Sequence, residues 1–590
     1  MIARSLAVVL CLFPQQHAAL KGGATPDQSG CARPQVSLAR GDLLPTVKRL
    51  YGEKHWDEIV RLAPVSSPEQ PAELDYYRGM ALARLERWKE AKEAFESGRR
   101  KQPQDKRFPT ELAGVAFKQQ NFTEATAELR RALRLDSGDR YAVDFLATVY
   151  LLEGNVEAAL DRWNRVEKPQ IENVTIDPRP RVDPILLDRA FTFSPASVLN
   201  LADLRTTEAR INALGIFPRY EFALSGRPDE KGEEGGKFDL VFRSTERNGW
   251  GSSTVAGLVS LLRGLPYLTV YPEWYNLKRS ATNLQSLVRW DAEKRRLFAT
   301  LSGPLGRDPK WRYRVYVDGR KENWDISRTF FGNGFGSAAP VSDLKLEKLE
   351  AGAEIQSIES GRWSWKTGAD LSHRRFGNFT PANSEATAFF TDGYALKYDA
   401  ELDAHVLRDP ERRITVDSTA SGQLGKMLRH GADPFAKVEG TLGVHWLPQP
   451  QGDDYETSAR VQAGQTFGQP PFDELFTLGL ERDNDLWLRG HIGTRRGRKG
   501  SAPLGRNYVL VNWDIDKKIY ENDFLELKLG PLLDSGKIYD PSRDFGSRVW
   551  LWDAGGQLKV RILGGPSVVF YYGKDLRSGH NAFYLTVSKN

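Results

Sequence analysis

Cysteine is almost absent: the 590-residue chain has two, Cys11 and Cys31. Cys11 falls in the N-terminal segment described below, so the mature chain is expected to keep one. That excludes a disulfide framework and a cysteine zinc site. An exported chain without disulfides has to be held by a large core or by closed sheets. Long apolar runs are also missing. Beyond the N-terminus no stretch reaches the ~18 residues of a membrane-crossing helix, so an exported chain of this kind is soluble or crosses a membrane as a barrel. Charge of one sign is scarce too, with 83 Lys+Arg against 77 Asp+Glu and a net +6. The densest basic patch, Arg495, Arg496, Arg498 and Lys499, sits in a Gly-rich stretch. It reads as a solvated loop, and no nucleic-acid partner is expected. There is no Gly-x-Ser-x-Gly, no phosphate loop, no Cys-x-x-Cys and no His-Glu-x-x-His. The eight histidines are scattered. Gly332, Gly334 and Gly336 read as a hairpin loop or a lumen crossing rather than a nucleotide site. Neither an enzyme nor a cofactor is expected.

Arg4, the apolar run Leu6 to Phe13, and then Ala18 and Ala19 follow the order of a secretory signal over residues 1–20. From Ala72 a period of 34 sets in, aligning Ala72 with Lys106 and Arg140. Twenty positions into each repeat stand Ala91, Ala125 and Ala159; four later stand Phe95, Leu129 and Trp163. Gly79, Ala113 and Ala147 fill the small position of the first helix. Small and bulky residues in fixed columns are what two antiparallel helices need where they cross closely. This resembles the tetratricopeptide (TPR) repeat, with a weaker helical pair around Trp56 before it. The resemblance implies an α-solenoid over 40–168 whose concave face docks a periplasmic protein.

After Lys168 the rhythm changes. Ile171, Val174 and Ile176 form a short strand, and helical spacing runs through Leu204, Glu208, Ile211 and Leu214 to Gly215. Two alternating runs follow: Tyr220, Phe222 and Leu224, then Phe238, Leu240 and Phe242. Strand, helices, strand, strand over 169–247 resembles a POTRA domain, carried by Leu204-Arg205-Thr206-Thr207-Glu208 and Leu214-Gly215-Ile216-Phe217. That βααββ resemblance implies capture of unfolded polypeptide by strand addition at an open edge, taken here as Tyr220, Phe222 and Leu224.

Residues 248–590 alternate with opposite polarity on the two parities. Leu396, Tyr398, Ala400, Leu402, Ala404 and Val406 interleave with Lys397, Asp399, Glu401, Asp403 and His405. Val438, Leu442, Val444 and Trp446 interleave with Lys437, Glu439 and His445. The apolar parity is rich in Trp and Tyr near strand ends and the polar parity is densely charged. In a soluble sandwich the polar parity would face water and the apolar parity another sheet, but a lipid-facing aromatic girdle around a wet lumen explains both features. The first strand is expected near Leu268 to Leu277, weakened by Pro272, with a short amphipathic helix at Ser252 to Leu262 before it.

Late in this segment come Pro471-Phe472-Asp473-Glu474-Leu475-Phe476, then Leu488-Arg489-Gly490-His491, and then a strand closing with Leu532-Leu533-Asp534-Ser535-Gly536. The ordered set resembles the Omp85 (bacterial surface antigen D15) signature, a long loop with an Arg-Gly-aromatic tip and a strand bearing Asp-x-Gly. His491 departs from the usual Phe or Tyr, and the chain ends Val587-Ser588-Lys589-Asn590 where an aromatic is usual. The resemblance implies a transmembrane antiparallel barrel of sixteen strands over 248–590, in the outer membrane of a diderm bacterium with periplasmic N-terminal domains. It also implies protein assembly, insertion or translocation, with the lipid bilayer and unfolded or nascent polypeptides as partners. Independently, Glu526, Lys528 and Asp534 share one parity, so Asp534 is expected to face the lumen, where Arg489 can reach it with a planar fork. Arg489, Gly490, Asp534 and Gly536 are therefore the expected loop-barrel lock. A polysaccharide exporter with such repeats, or a passive porin or envelope anchor, are the alternative readings.

Overall fold

The computed structural model describes residues 43–588 except 64–68, 229–233, 327–342, 379–388, 450–451, 523, 541–546, 548 and 563–566. The targeting segment, both cysteines and the Gly332 to Gly336 run lie outside the described residues. Two compact units are present. One comprises Met1–Val174, Pro195–Leu201 and Leu224–Leu240; the other comprises Thr175–Ser194, Ala202–Ala223 and Val241–Asn590.

Among the described residues the first unit is dominated by eight helices: α1 (Leu43–Gly52), α2 (Trp56–Leu62), α3 (Ala72–Arg84), α4 (Trp88–Lys101), α5 (Arg107–Lys118), α6 (Phe122–Leu135), α7 (Arg140–Leu152) and α8 (Val156–Trp163). They pack in sequence, α3 on α4, α4 on α5 and so on to α8. The repeat columns make the core: Ala91, Ala125, Ala159, Phe95, Leu129 and Trp163 are all buried. Gly79 has no alternative, because a Cβ there would lie 2.5 Å from the Phe95 ring. Asn121, Asp139 and Asn155 cap α6, α7 and α8 through backbone N–H groups. After α8, Asn164 bonds Lys168 O, Leu199 O and Leu201 N, and Trp163 meets Phe238 at 5.0 Å, so the last helix is fused to the segment that follows.

A three-stranded sheet follows, with β1 (Gln170–Ile176), β2 (Arg219–Pro228) and β3 (Glu234–Thr245) in the order β1-β3-β2. Its helices are α9 (Pro184–Ala190) and α10 (Leu201–Leu214). In the second unit Phe191, Phe217, Phe222 and Phe242 form an aromatic cluster. Helix α10 is tied to the barrel: Gly361 N donates to Thr206 Oγ1 (3.0 Å) and Asn283 Nδ2 to Leu214 O (2.8 Å).

Helix α11 (Thr254–Leu262) precedes the barrel. The barrel strands are β4 (Thr269–Val270), β5 (Glu273–Leu277), β6 (Thr282–Trp290), β7 (Lys294–Leu305), β8 (Asp308–Trp324), β9 (Leu344–Ile358) and β10 (Trp363–Gly377). They continue with β11 (Gly393–Asp409), β12 (Ile414–Met427), β13 (Pro434–Trp446) and β14 (Tyr455–Phe467). Four two-residue strands lie in one loop: β15 (Phe476–Thr477), β16 (Thr494–Arg495), β17 (Arg498–Lys499) and β18 (Leu504–Gly505). The wall then runs β19 (Asn507–Glu521), β20 (Leu525–Tyr539), β21 (Leu551–Ile562), β22 (Ser567–Asp575) and β23 (Asn581–Ser588) and closes on itself.

β4 and β5 are a single strand interrupted at Tyr271-Pro272, since both pair with β6. Among the described residues the wall therefore has fifteen strands, not the sixteen that the family resemblance implied. The segment in which another strand would stand bridges Tyr275 at Gly249 and then turns into α11, capped by Ser253. Fifteen consecutively antiparallel strands leave the first and last running the same way at the seam, where Tyr267 hydroxyl donates to Leu585 O (2.8 Å).

Polarity is inside out. Leu396, Tyr398, Leu402, Val406, Val438 and Leu442 are exposed, while Arg374 is 0 % and Lys397 5 % exposed. An aqueous sheet would reverse this, and a lipid-embedded cylinder requires it. No described helix is long and apolar enough to cross a membrane.

Candidate functional site: a loop folded into the barrel

Residues 468–506, between β14 and β19, carry apolar side chains that a solvated loop could not hide. Phe472, Leu475 and Leu504 pack with Trp324, Leu344, Leu346 and Phe390. Phe476, Leu478, Leu486 and Leu488 pack with the wall residues Tyr508, Leu510, Ile538 and Leu551. Each such side chain contributes roughly 1.5–3 kcal/mol by burial. β15 pairs with β18, and β16 with β17; Lys499 then extends the end of β8 at Trp324 in parallel. The loop is thus a small folded body inside the cylinder.

Its acidic residues meet a basic wall. Asp473 and Glu474 face Arg374 (3.1 and 3.4 Å) and Lys348 (3.2 and 3.3 Å), and Glu474 also faces Lys397 (3.3 Å). Asp483 pairs with Arg289 (2.9 Å), Arg296 (2.5 Å) and Lys499 (3.0 Å). These clusters were not singled out from sequence. Asp473 and Glu474 marked the family motif, but nothing in a linear reading said that they meet Lys348 and Lys397. Shared parity of Lys348 and Lys397 with other lumen residues was the available signal.

At the tip Arg489 meets Asp534. Arg489 Nε donates to Asp534 Oδ2 (2.9 Å) and Nη2 to Oδ1 (2.5 Å), and its backbone N donates to Oδ2 (2.8 Å). Its Nη1 reaches Asp514. Asp534 is 0 % and Arg489 4 % exposed. A bidentate fork on a carboxylate that also accepts from Asn512 Nδ2 (2.7 Å) fixes both direction and depth. Gly490 N donates to Asp553 Oδ2 (2.6 Å), and a Cβ at 490 would lie 2.6 Å from Asp553 Cγ. A Cβ at Gly573 would lie 2.1 Å from Arg489 O, so this wall glycine, missed in the sequence, lets the tip approach. Gly536 sits beside the loop, 3.3 Å from Leu478 by the same measure. The loop also touches the seam: Arg482 lies over the Tyr267 ring, and Trp487 meets Tyr571 and Tyr584 edge-on.

Tyr220, Phe222 and Leu224 lie on β2, an edge strand of the small sheet, with Phe222 buried in the aromatic cluster. The lock residues and these three belong to different parts of the chain and are not brought together.

No protein-family model matches the sequence, and no curated protein matches it. Solved structures to which the chain is similar include BamA from Haemophilus ducreyi lacking POTRA domains 1–3, 11% identical with a TM-score of 0.41 over 71% of this chain and 82% of that one. CdiB from Escherichia coli is 13% identical with a TM-score of 0.44 over 77% of this chain and 83% of that one. CdiB from Acinetobacter baumannii is 12% identical with a TM-score of 0.41 over 78% and 81%.

Proposed function

We propose that this chain is an outer-membrane barrel of the Omp85 class that inserts or translocates other polypeptides. The observation that carries the reading is the loop 468–506 folded inside an inside-out cylinder, with Arg489 forked on Asp534. A passive pore has no need of a loop that fills its lumen on buried ion pairs, each of which is costly to desolvate. An exporter of charged polysaccharide calls for a lumen of one sign, and here Lys348 and Lys397 stand beside Glu350, and Lys397 beside Asp370. In this reading the Arg489–Asp534 pair sets the resting shape of the barrel. The POTRA-like sheet takes an unfolded chain as an added strand along β2. The TPR-like helices dock a periplasmic partner. Folding of the client supplies the energy.

The test is site-specific photo-crosslinking in the native host. Glu221 is exposed on β2 between Tyr220 and Phe222. A photoreactive residue there is expected to yield adducts with nascent outer-membrane or secreted polypeptides, and one at Asn212 on α10 few. Equal adducts from both positions, or none with polypeptide, would overturn the proposal.

A further inference from the structure

Asn512, Asp534, Asp553 and Asp575 stand in one row across β19, β20, β21 and β22, each the direct ladder partner of the next. Three carboxylates side by side repel one another. Arg489 answers Asp534 and, on its other side, Asp514. Among the described residues, the one basic side chain within ion-pair distance of Asp553 or Asp575 is His491. Its Nδ1 lies 3.1 Å from Asp553 and its Nε2 3.6 Å from Asp575. Asp553 is fully buried, and its Oδ1 has no hydrogen-bond partner among the described residues. That oxygen faces the loop tip, 2.7 Å from where a Cβ of residue 490 would be. A buried carboxylate oxygen left unmet is costly. One donor atom from each of His491, Asp553 and Asp575 lies within 4.8 Å of the others.

We infer that His491, Asp553 and Asp575 form a binding site for one divalent transition cation of the Zn2+ class. One imidazole nitrogen with two carboxylates suits such an ion, water completing the shell. Donor atoms on a tetrahedral ion with bonds of about 2.1 Å sit about 3.4 Å apart. Closing from 4.8 Å to that spacing takes movements of the three side chains, of which His491 is the ligand that comes from the loop. The ion would offset the surplus negative charge of the row and clip the tip to β21 and β22, beside the Arg489 anchor on β20. The site is independent of what the barrel handles.

The full chain, purified in detergent without a His-tag and stripped with chelator, is titrated with Co2+ alone and then with Zn2+ as competitor. One equivalent of Co2+ is expected, with the visible absorption of a low-coordinate ion, displaced by Zn2+. His491→Phe and Asp575→Asn, each checked for the heat-modifiable mobility of a folded barrel, are expected to weaken binding roughly 100-fold or more. Asp575→Asn carries the test should His491→Phe not fold. Absence of stoichiometric binding in the parent chain, or unchanged binding in the folded variants, would overturn the site.

Discussion

Arg489 and Asp534 are buried together, so the two ends of the pair respond differently to substitution. Asp534→Ala leaves a guanidinium in the lumen with Asp514 alone, and breaking a buried pair costs about 3–5 kcal/mol. Arg489→Lys keeps the charge but loses the fork. In urea titrations of the folded barrel the midpoint is expected to fall for both, more for Asp534→Ala; equal midpoints for parent and variants would contradict this. Gly573→Ala acts by space alone, placing a methyl against Arg489 O. The tip then has to lift, and trypsin is expected to cut at Arg495 and Arg496 several times faster, while Gly440→Ala, with nothing within 4 Å, leaves cleavage unchanged. Of this site, strand parity indicated the facing of Asp534, and Arg489 was named from the resemblance to the Omp85 loop motif. The Asp553–Asp575 row and Gly573 were not. Which residues stand opposite one another depends on register across several turns, and a slip of one residue reverses every face.

At the scale of elements, the helical repeats were legible because the 34-residue period repeats the same small and bulky columns, and those columns are the buried ones. The arm also holds a strained group. Burial raises the Glu111 pKa above its ordinary 4.5, although the Tyr76 hydroxyl bonds it (3.3 Å). A carboxyl raised in the folded state favours folding below its unfolded pKa, and that contribution is lost as pH rises through the folded value. Glu111→Gln is therefore expected to raise the melting temperature of the arm near neutral pH and to change it little at about pH 4. A pH-independent effect would count against the burial argument. The barrel strands were legible by their two-residue alternation, and helix α11 by its amphipathic spacing. Their outward faces give a sharper check. Leu442→Arg places a charge on an exposed apolar position, and lipid-facing charges cost about 2–4 kcal/mol near mid-membrane. Thr441→Arg, on the other parity, is expected to cost much less. A soluble sheet would tolerate Leu442→Arg.

For the whole molecule, closure of the wall followed from the sequence but its strand number did not. Sixteen came from family resemblance, and the difference lies where Ser253 caps a helix and Pro272 interrupts the first strand. Neither alternation nor length reports such a local exchange of strand for helix. The contents of the lumen were equally hidden, because Asp473, Glu474 and Asp483 meet their cations only once the loop turns inward. The central claim is that this loop fills a closed, lipid-embedded cylinder. Its most direct test is planar-bilayer conductance of the parent chain and of a variant with residues 471–503 replaced by a short Gly-Ser linker. The parent is expected to insert and pass little current, and the loopless variant to show discrete steps several times larger. Equal conductance, or failure of either folded protein to insert at all, would contradict the claim.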